Sequence, residues 1–403
     1  MGRSERGNGW LMESVPDHSG PYGLPAKATK FFWFGCVVSA LLGLLLLAGC
    51  SPGRGYEAAL VLADMAAGEK PSLLKRTTPE PRVTPVAFAV DGRGYRGDLY
   101  RPGEQALAGM LLVPGAAEKG KDDPRLVAYA RTLARARFNV LVPDLESLRA
   151  LRVGPGNVGE VVDAFSWLVD RAGLVPGGRA GITAFSYAAG PVLLAAMDPT
   201  IRHRVKFVHA VGGYYDLPAV LGFFTTGYFR EAERWGYREP NAYGKWVFVL
   251  SNAGRLSERA DREALEEMAW RRMEDLGAEL SDLEAMLGSE GQAVYAFVAN
   301  GQQDRVASLF QGLPAGIRND IEALDLSGKD LSHLSARLIL VHGTDDDIIP
   351  YTESVALAGA LPQGQARLFL ADGLAHVTLR PGLFSRWRLW RAVDALLGER
   401  EGE

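Results

Sequence analysis

A serine, a histidine and one of three neighbouring aspartates stand where they could carry out acyl transfer together. The serine is Ser186 in GITAFSYAAG, the histidine is His376 in ADGLAHVTL, and the aspartates are the run Asp345-Asp346-Asp347 in HGTDDDIIP. A serine hydroxyl is a poor nucleophile until a base takes its proton, and an imidazole serves best when a carboxylate fixes its tautomer. The turn signature G-x-S-x-G is incomplete, because Ala184 and Ala188 stand at the glycine positions. Alanine adds one methyl at each place, which a close strand-to-helix approach tolerates only if its neighbours yield.

Other candidates for chemistry have simpler readings. His18 precedes the longest apolar stretch, His203 and His333 fall in polar surroundings expected at the surface, and His209 and His342 lie in or at the end of apolar strands, where structural histidines belong. Asp216 sits where a helix N-cap is expected. GPGNVG (154 to 159) has dinucleotide-loop spacing but lies some ten residues past its strand without the acidic partner, so it reads as the start of a helix. There is no phosphate-cradle or zincin motif, and neither metal nor organic cofactor is expected.

Residues so far apart in sequence meet only if a scaffold gathers them. PVAFAVDGRGYRGDLYRPG holds two strand-like runs about an Asp-Gly turn, a hairpin signal. Apolar strand candidates then alternate with helical stretches: GMLLVPG, FNVLVPD, RAGITAF, KFVHAVGG, ARLILVHG and ARLFLAD. This alternation predicts a mostly parallel sheet with helices on both faces and an antiparallel edge, an α/β class. Between 214 and 334 the strand signals nearly vanish, and Leu265, Met268, Ala269, Met273, Leu276, Leu280, Leu283 and Leu287 recur at helical spacing. The expected organisation is a core over 84–213 and 335–400, with a helical cap insertion over 214–334. In such a sheet the loops at the carboxyl ends of the strands share one edge, and Ser186, the aspartate run and His376 each follow a strand.

On these residues the chain resembles the α/β-hydrolase superfamily, and within it the dienelactone-hydrolase and prolyl-oligopeptidase-like serine esterases. Phe185-Ser186-Tyr187 resembles their elbow, Gly343-Thr344-Asp345-Asp346 with Ile349-Pro350 matches their acid loop, and Gly373 to His376 stands where they carry the catalytic histidine. The resemblance implies a triad of Ser186, Asp346 and His376. It implies an oxyanion hole built from the Tyr187 and Ala116 N–H groups, although Pro114-Gly115 replaces the usual His-Gly. It implies hydrolysis of a small-molecule carboxylic ester through an acyl-enzyme. A peptidase or amidase of the prolyl-oligopeptidase type, and a non-catalytic surface protein on the same scaffold, are the alternatives.

Composition frames these readings. The 403 residues carry a net charge of −4 with 47% hydrophobic residues, which suits a large globular core and excludes the basic field that nucleic acid requires. The only cysteines, Cys36 and Cys50, fall in FFWFGCVVSALLGLLLLAGC, which follows Lys27 and Lys30 and ends in Leu47-Ala48-Gly49-Cys50. That ending resembles a bacterial lipobox, so residues 1–49 are expected to be an export signal and Cys50 the lipidated residue. The protein would then be lipid-anchored in the cell envelope, on the non-cytoplasmic side, with residues 50–83 as a tether bearing one short helix, YEAALVLADMAAG, expected to dock on the body. The first cap residues, GYYDLPAVLGFFTTGYF, offer Phe223, Phe224, Tyr228 and Phe229 as an apolar substrate wall.

Overall fold

The computed structural model describes residues 52–375, 378–379 and 382–402. The signal segment, Cys50 and His376 lie outside the described residues. Within them no helix is long and apolar enough to cross a membrane.

The core is an eight-stranded sheet in the order β1-β2-β4-β3-β5-β6-β9-β10. The strands are β1 (Arg82–Val90), β2 (Arg93–Arg101), β3 (Ala108–Val113), β4 (Phe138–Pro143), β5 (Ala180–Phe185), β6 (Phe207–Val211), β9 (Arg337–Gly343) and β10 (Ala366–Ala371). The first two pair antiparallel and β2 runs antiparallel to β4, while every later pairing is parallel. The Asp-Gly turn makes the first hairpin, with Asp91 at φ 48° and Gly92 at φ 79°, the left-handed pair that matches strand twist. The expected mostly parallel sheet with an antiparallel edge is what the chain forms.

Because side chains alternate across a strand, each strand divides its apolar residues between two cores. In β3, Leu111 and Val113 face one side while Ala108, Met110 and Leu112 face the other. β9 divides likewise, Leu338 and Leu340 opposing Ile339 and Val341. Helices Gly156–Val169, Ala189–Ala196 and Tyr351–Gly359 cover the first face, and Pro52–Ala67, Pro124–Arg135 and Leu383–Glu401 the second.

The helix expected in the tether segment forms and packs on the body. Helix Pro52–Ala67 buries Ala58 and Val61 completely against the sheet-covering layer. Its charges are paired at long range: Arg54 with Asp394 and Glu401 at 3.1 Å each, and buried Asp64 with Lys75 and with the Thr132 hydroxyl at 2.6 Å. The repeat of apolar residues in YEAALVLADMAAG makes the helix; docking follows because its small face fits against the terminal helix, where a Cβ on Gly55 would meet the Trp390 ring at 3.2 Å.

Residues 214–334 are mostly helical, with an apolar cluster around Leu265, Met268, Ala269, Phe297 and Ile317. They also hold a short hairpin, β7 (Tyr228–Glu231) with β8 (Arg234–Tyr237), that the sequence pattern did not show. Leu276 lies past the end of helix Arg259–Glu274 and is exposed rather than buried.

Core and cap are joined by Glu353, a buried carboxylate on the helix that follows the acid loop. It accepts hydrogen bonds from the Tyr215 N–H at 3.1 Å and the Asp216 N–H at 2.8 Å, the first residues of the insertion. Burial pushes its pKa up to about 7, opposed by those two amides and reinforced by the neighbouring Asp216 and Asp325 carboxylates. A raised folded-state pKa means the fold holds the proton more tightly than the unfolded chain does, so this group's contribution falls as pH rises from about 4.5 to about 7. Glu353→Gln should keep an acceptor for both amides and remove that slope. Melting temperatures recorded across this range should converge toward acid and diverge toward neutral pH, with the variant the more stable; parallel curves would show that Glu353 is not the titrating group.

Candidate active site

Strand β5 ends at Phe185, and the chain turns through Ser186 to Ala188 directly into helix Ala189–Ala196. Ser186 adopts φ 54°, the left-handed region that residues with a Cβ avoid at a cost of roughly 1–2 kcal/mol. A serine held there projects its hydroxyl out of the turn, and strain of this kind persists only where the surroundings enforce it. The enforcement is visible. Ala184 and Ala188 are fully buried, so the methyls that replace the usual glycines are accommodated.

The glycine requirement has moved along the helix. A Cβ on Gly190 would fall 2.0 Å from the Tyr214 hydroxyl, and one on Gly213 would fall 2.5 Å from the Ala189 methyl. Tyr214 is itself fixed, donating to the Leu324 carbonyl at 3.1 Å and stacking on Tyr187. The sequence flagged the small-residue run but not which member of it was obligatory.

The loop after β3 lies beside the serine, since a Cβ on Gly115 would stand 3.9 Å from the Ser186 Cβ. The two expected oxyanion donors therefore belong to adjoining loops. Tyr187 is further braced by its hydroxyl, which donates to Asn157 at 3.3 Å. Asn157 belongs to the GPGNVG stretch, and it accepts from the Gly154 N–H at 2.9 Å, so that stretch starts helix Gly156–Val169.

The three neighbouring aspartates have different surroundings. Asp346 is buried, its Oδ1 accepting from the Ile348 and Ile349 N–H groups at 2.9 and 3.0 Å. Its Oδ2 lies against the end of β6, 3.4 Å from where a Cβ on Gly212 would be, and 3.6 Å from His342 Nε2. Asp345 instead clamps the histidine loop, accepting from Gly373 N–H at 3.1 Å and Leu374 N–H at 3.2 Å. Asp347 contributes its carbonyl to the Asn241 N–H of the cap. Gly343 is required because a Cβ there would be 2.2 Å from the Leu374 carbonyl. His376 falls outside the described residues, between the paired dipeptides Leu374–Ala375 and Thr378–Leu379.

The other described histidines are structural or at the surface. His342 is fully buried, with Nδ1 2.7 Å from the Ser354 hydroxyl and Nε2 2.9 Å from the Ile349 carbonyl, and so braces the acid loop. Burial pushes the pKa of His209 down to about 4, which keeps it neutral at physiological pH. His203 and His333 are exposed. Asp216 caps helix Leu217–Thr226 through the Ala219 N–H.

The insertion reaches the sheet edge that carries the candidate residues by a route the sequence did not suggest. Arg238 donates to the Asp346 carbonyl at 2.8 Å, and the Tyr243 hydroxyl approaches the Ala116 carbonyl at 3.4 Å. The aromatic run does not form one open wall. Phe223 is 1% exposed and meets Phe229 edge-on, Phe224 packs over Gly244, and Tyr228 is exposed beside Tyr237. Phe229 also meets Tyr351, so these rings mainly fasten the small hairpin to the core. Of the four expected wall residues, Phe223 is corrected outright: an interior ring packs the cap and offers no surface to a substrate.

The strained turn gives a direct test. Glycine has no Cβ penalty at φ 54°, so Ser186→Gly should be more stable than Ser186→Ala by about 1 kcal/mol in urea denaturation. Equal stability, or a more stable alanine variant, would mean that Ser186 is not held in the left-handed region.

No protein-family model matches the sequence, and no curated protein does. Among solved structures, a putative hydrolase from Legionella pneumophila is similar with a TM-score of 0.50 at 12% identity, over 81% of this chain and 93% of that one. An esterase from Pyrobaculum calidifontis has a TM-score of 0.45 at 14% identity, over 87% of this chain and 91% of that one. A dienelactone hydrolase from Anabaena variabilis has a TM-score of 0.41 at 15% identity, over 79% and 97%. At such identities the likeness is one of fold.

Proposed function

We propose that this chain, an α/β-hydrolase by fold, is a serine hydrolase that cleaves carboxylic esters while anchored through Cys50 to the non-cytoplasmic side of a membrane. One observation carries the catalytic part: the left-handed turn at Ser186, set beside the Gly115-Ala116 loop and on the same sheet edge as buried Asp346. In this reading His376 takes the Ser186 proton as Oγ attacks the acyl carbon. The carbonyl electrons move to oxygen, where the Tyr187 and Ala116 N–H groups stabilise them. Collapse expels the alcohol, which leaves with the proton from His376, and water attacks the acyl-enzyme by the same steps to release the acid. Asp346 holds the imidazole in one tautomer and stabilises its charged form. The anchoring part rests on the residues from Lys27 to Cys50 alone.

Turnover of a short-chain aryl ester separates the roles. Ser186→Ala should lower it by several orders of magnitude, and Asp346→Asn by about 10⁴, the loss seen when a triad loses its orienting carboxylate. Asp345→Asn retains an acceptor for the Gly373 and Leu374 amides and should cost about tenfold or less. A large loss at Asp345 with little at Asp346 would reassign the acid, and full activity in Ser186→Ala would remove the nucleophile.

A further inference from the structure

The start of the terminal helix Leu383–Glu401 carries a surface that catalysis does not use. Leu383 and Phe384 are the most exposed large apolar side chains among the described residues, at 85% and 73%, and Trp387 one turn on is 49% exposed. Ser385 and Leu389 of the same turns are buried, so the helix is seated and the exposed residues form its outer face. Arginines lie on that same face, with the Arg388 guanidinium 5.6 Å over the Phe384 ring and Arg391 5.3 Å over Trp387. Arg367, exposed on edge strand β10, lies across a groove of about 420 Å³ lined also by Leu368, Trp387, Arg388 and Arg391. Of the two nearby carboxylates, Asp394 is paired with Arg54, while Asp372, hydrogen-bonded by the Thr344 hydroxyl, keeps its charge against three arginines, Arg367, Arg388 and Arg391, so the face is net basic.

Both ends of this face have a fixed place. At one end the Ser385 hydroxyl accepts from the Asp372 N–H at 2.9 Å, beside the Gly373-Leu374 backbone that Asp345 clamps. That is the edge of the sheet where the candidate catalytic residues lie. At the other end Trp390 donates to the Gly55 carbonyl at 2.8 Å, and neighbouring Tyr56 is 63% exposed. The eight residues from Leu383 to Trp390 span roughly 10 Å of helix. Immediately before Gly55 the chain leads back to the apolar stretch 31–50.

The geometry points to this face as a membrane-docking surface that rests on a bilayer containing anionic phospholipid. Exposed Leu, Phe, Trp and Tyr suit the boundary between headgroups and acyl chains, and arginines beside them suit lipid phosphates. Cationic side chains beside a membrane are attracted to its anionic surface. The continuity of the face with the segment leading from Cys50 selects a bilayer over a soluble partner. The inference rests on the anchoring reading and is independent of ester hydrolysis. Its consequence is that the catalytic edge faces the lipid, so an amphiphilic ester could enter from the membrane without crossing water.

The lipidated chain beginning at Cys50, reconstituted into vesicles of phosphatidylcholine and phosphatidylglycerol with brominated acyl chains, tests this by tryptophan quenching. Six tryptophans remain in that chain, so the quenched share of the emission should be of the order of one in six, and Trp387→Phe should remove most of it. Leu383→Ser and Arg391→Glu should each reduce the Trp387 share while leaving the melting temperature unchanged, and Arg391→Glu should lose its effect when phosphatidylglycerol is omitted. A chain that floats with vesicles but shows no Trp387-dependent quenching overturns the docking surface and leaves the anchor standing. A chain that fails to float overturns both. A dimer that Trp387→Ser dissolves, with no Trp387-dependent quenching, assigns the face to a second copy and overturns the bilayer.

Discussion

The site depends on one backbone conformation. At φ 54°, Ser186 turns the chain from β5 into a helix within a single residue, and everything packed around that turn must be small or withdrawn. The buried methyls of Ala184 and Ala188, the missing side chain at Gly190 and the close approach of Gly213 to Ala189 all answer this demand. Tyr214 then fills the space above Gly190 and stacks on Tyr187, so the residue expected to supply an oxyanion donor is held by the packing that holds the nucleophile. Strain at the turn and order in the hole are thus one packing problem.

The acid and histidine loops are tied to each other and to the sheet by backbone amides more than by side-chain pairs. Asp346 takes two amides of its own loop, Asp345 takes two amides of the next, and His342 bridges the acid loop to the helix behind it. The cap adds Arg238 and Asn241 to the same loop from above. A carboxylate accepting two N–H bonds is directionally fixed, and bonds of this charged kind are each worth about 1.5–3 kcal/mol. This is why neighbouring aspartates of identical chemistry need not be interchangeable.

The scaffold was legible wherever local pattern and tertiary environment agree. The strands that end at Val113, Phe185, Val211 and Gly343 are apolar runs bounded by turn residues, and their burial on both faces is what such runs are for. Reading Asp216 as a cap and His342 as structural also needed only local context. What escaped depends on partners remote in sequence. The helix Pro52–Ala67 and its docking are visible in its own periodicity, but the contact that fastens it, Arg54 meeting Asp394 340 residues away, has no local signature. Phe223 looked like substrate wall because an aromatic beside a catalytic edge and an aromatic packed beneath a hairpin have the same sequence signature. The hairpin itself is four residues a side, too short for alternation to register. At the elbow, composition announced small residues, but only the packing of Tyr214 identified Gly190 as the one that must lack a side chain.

The central claim is that Ser186 is an activated nucleophile, and covalent capture reads it most directly. The folded chain would be exposed to a fluorophosphonate and digested, and the modified residue located by mass spectrometry. A single adduct on Ser186 is expected, formed in the native protein and not once the fold is lost. No adduct on the folded chain, or an adduct on a different serine with Ser186 unmodified, would contradict it.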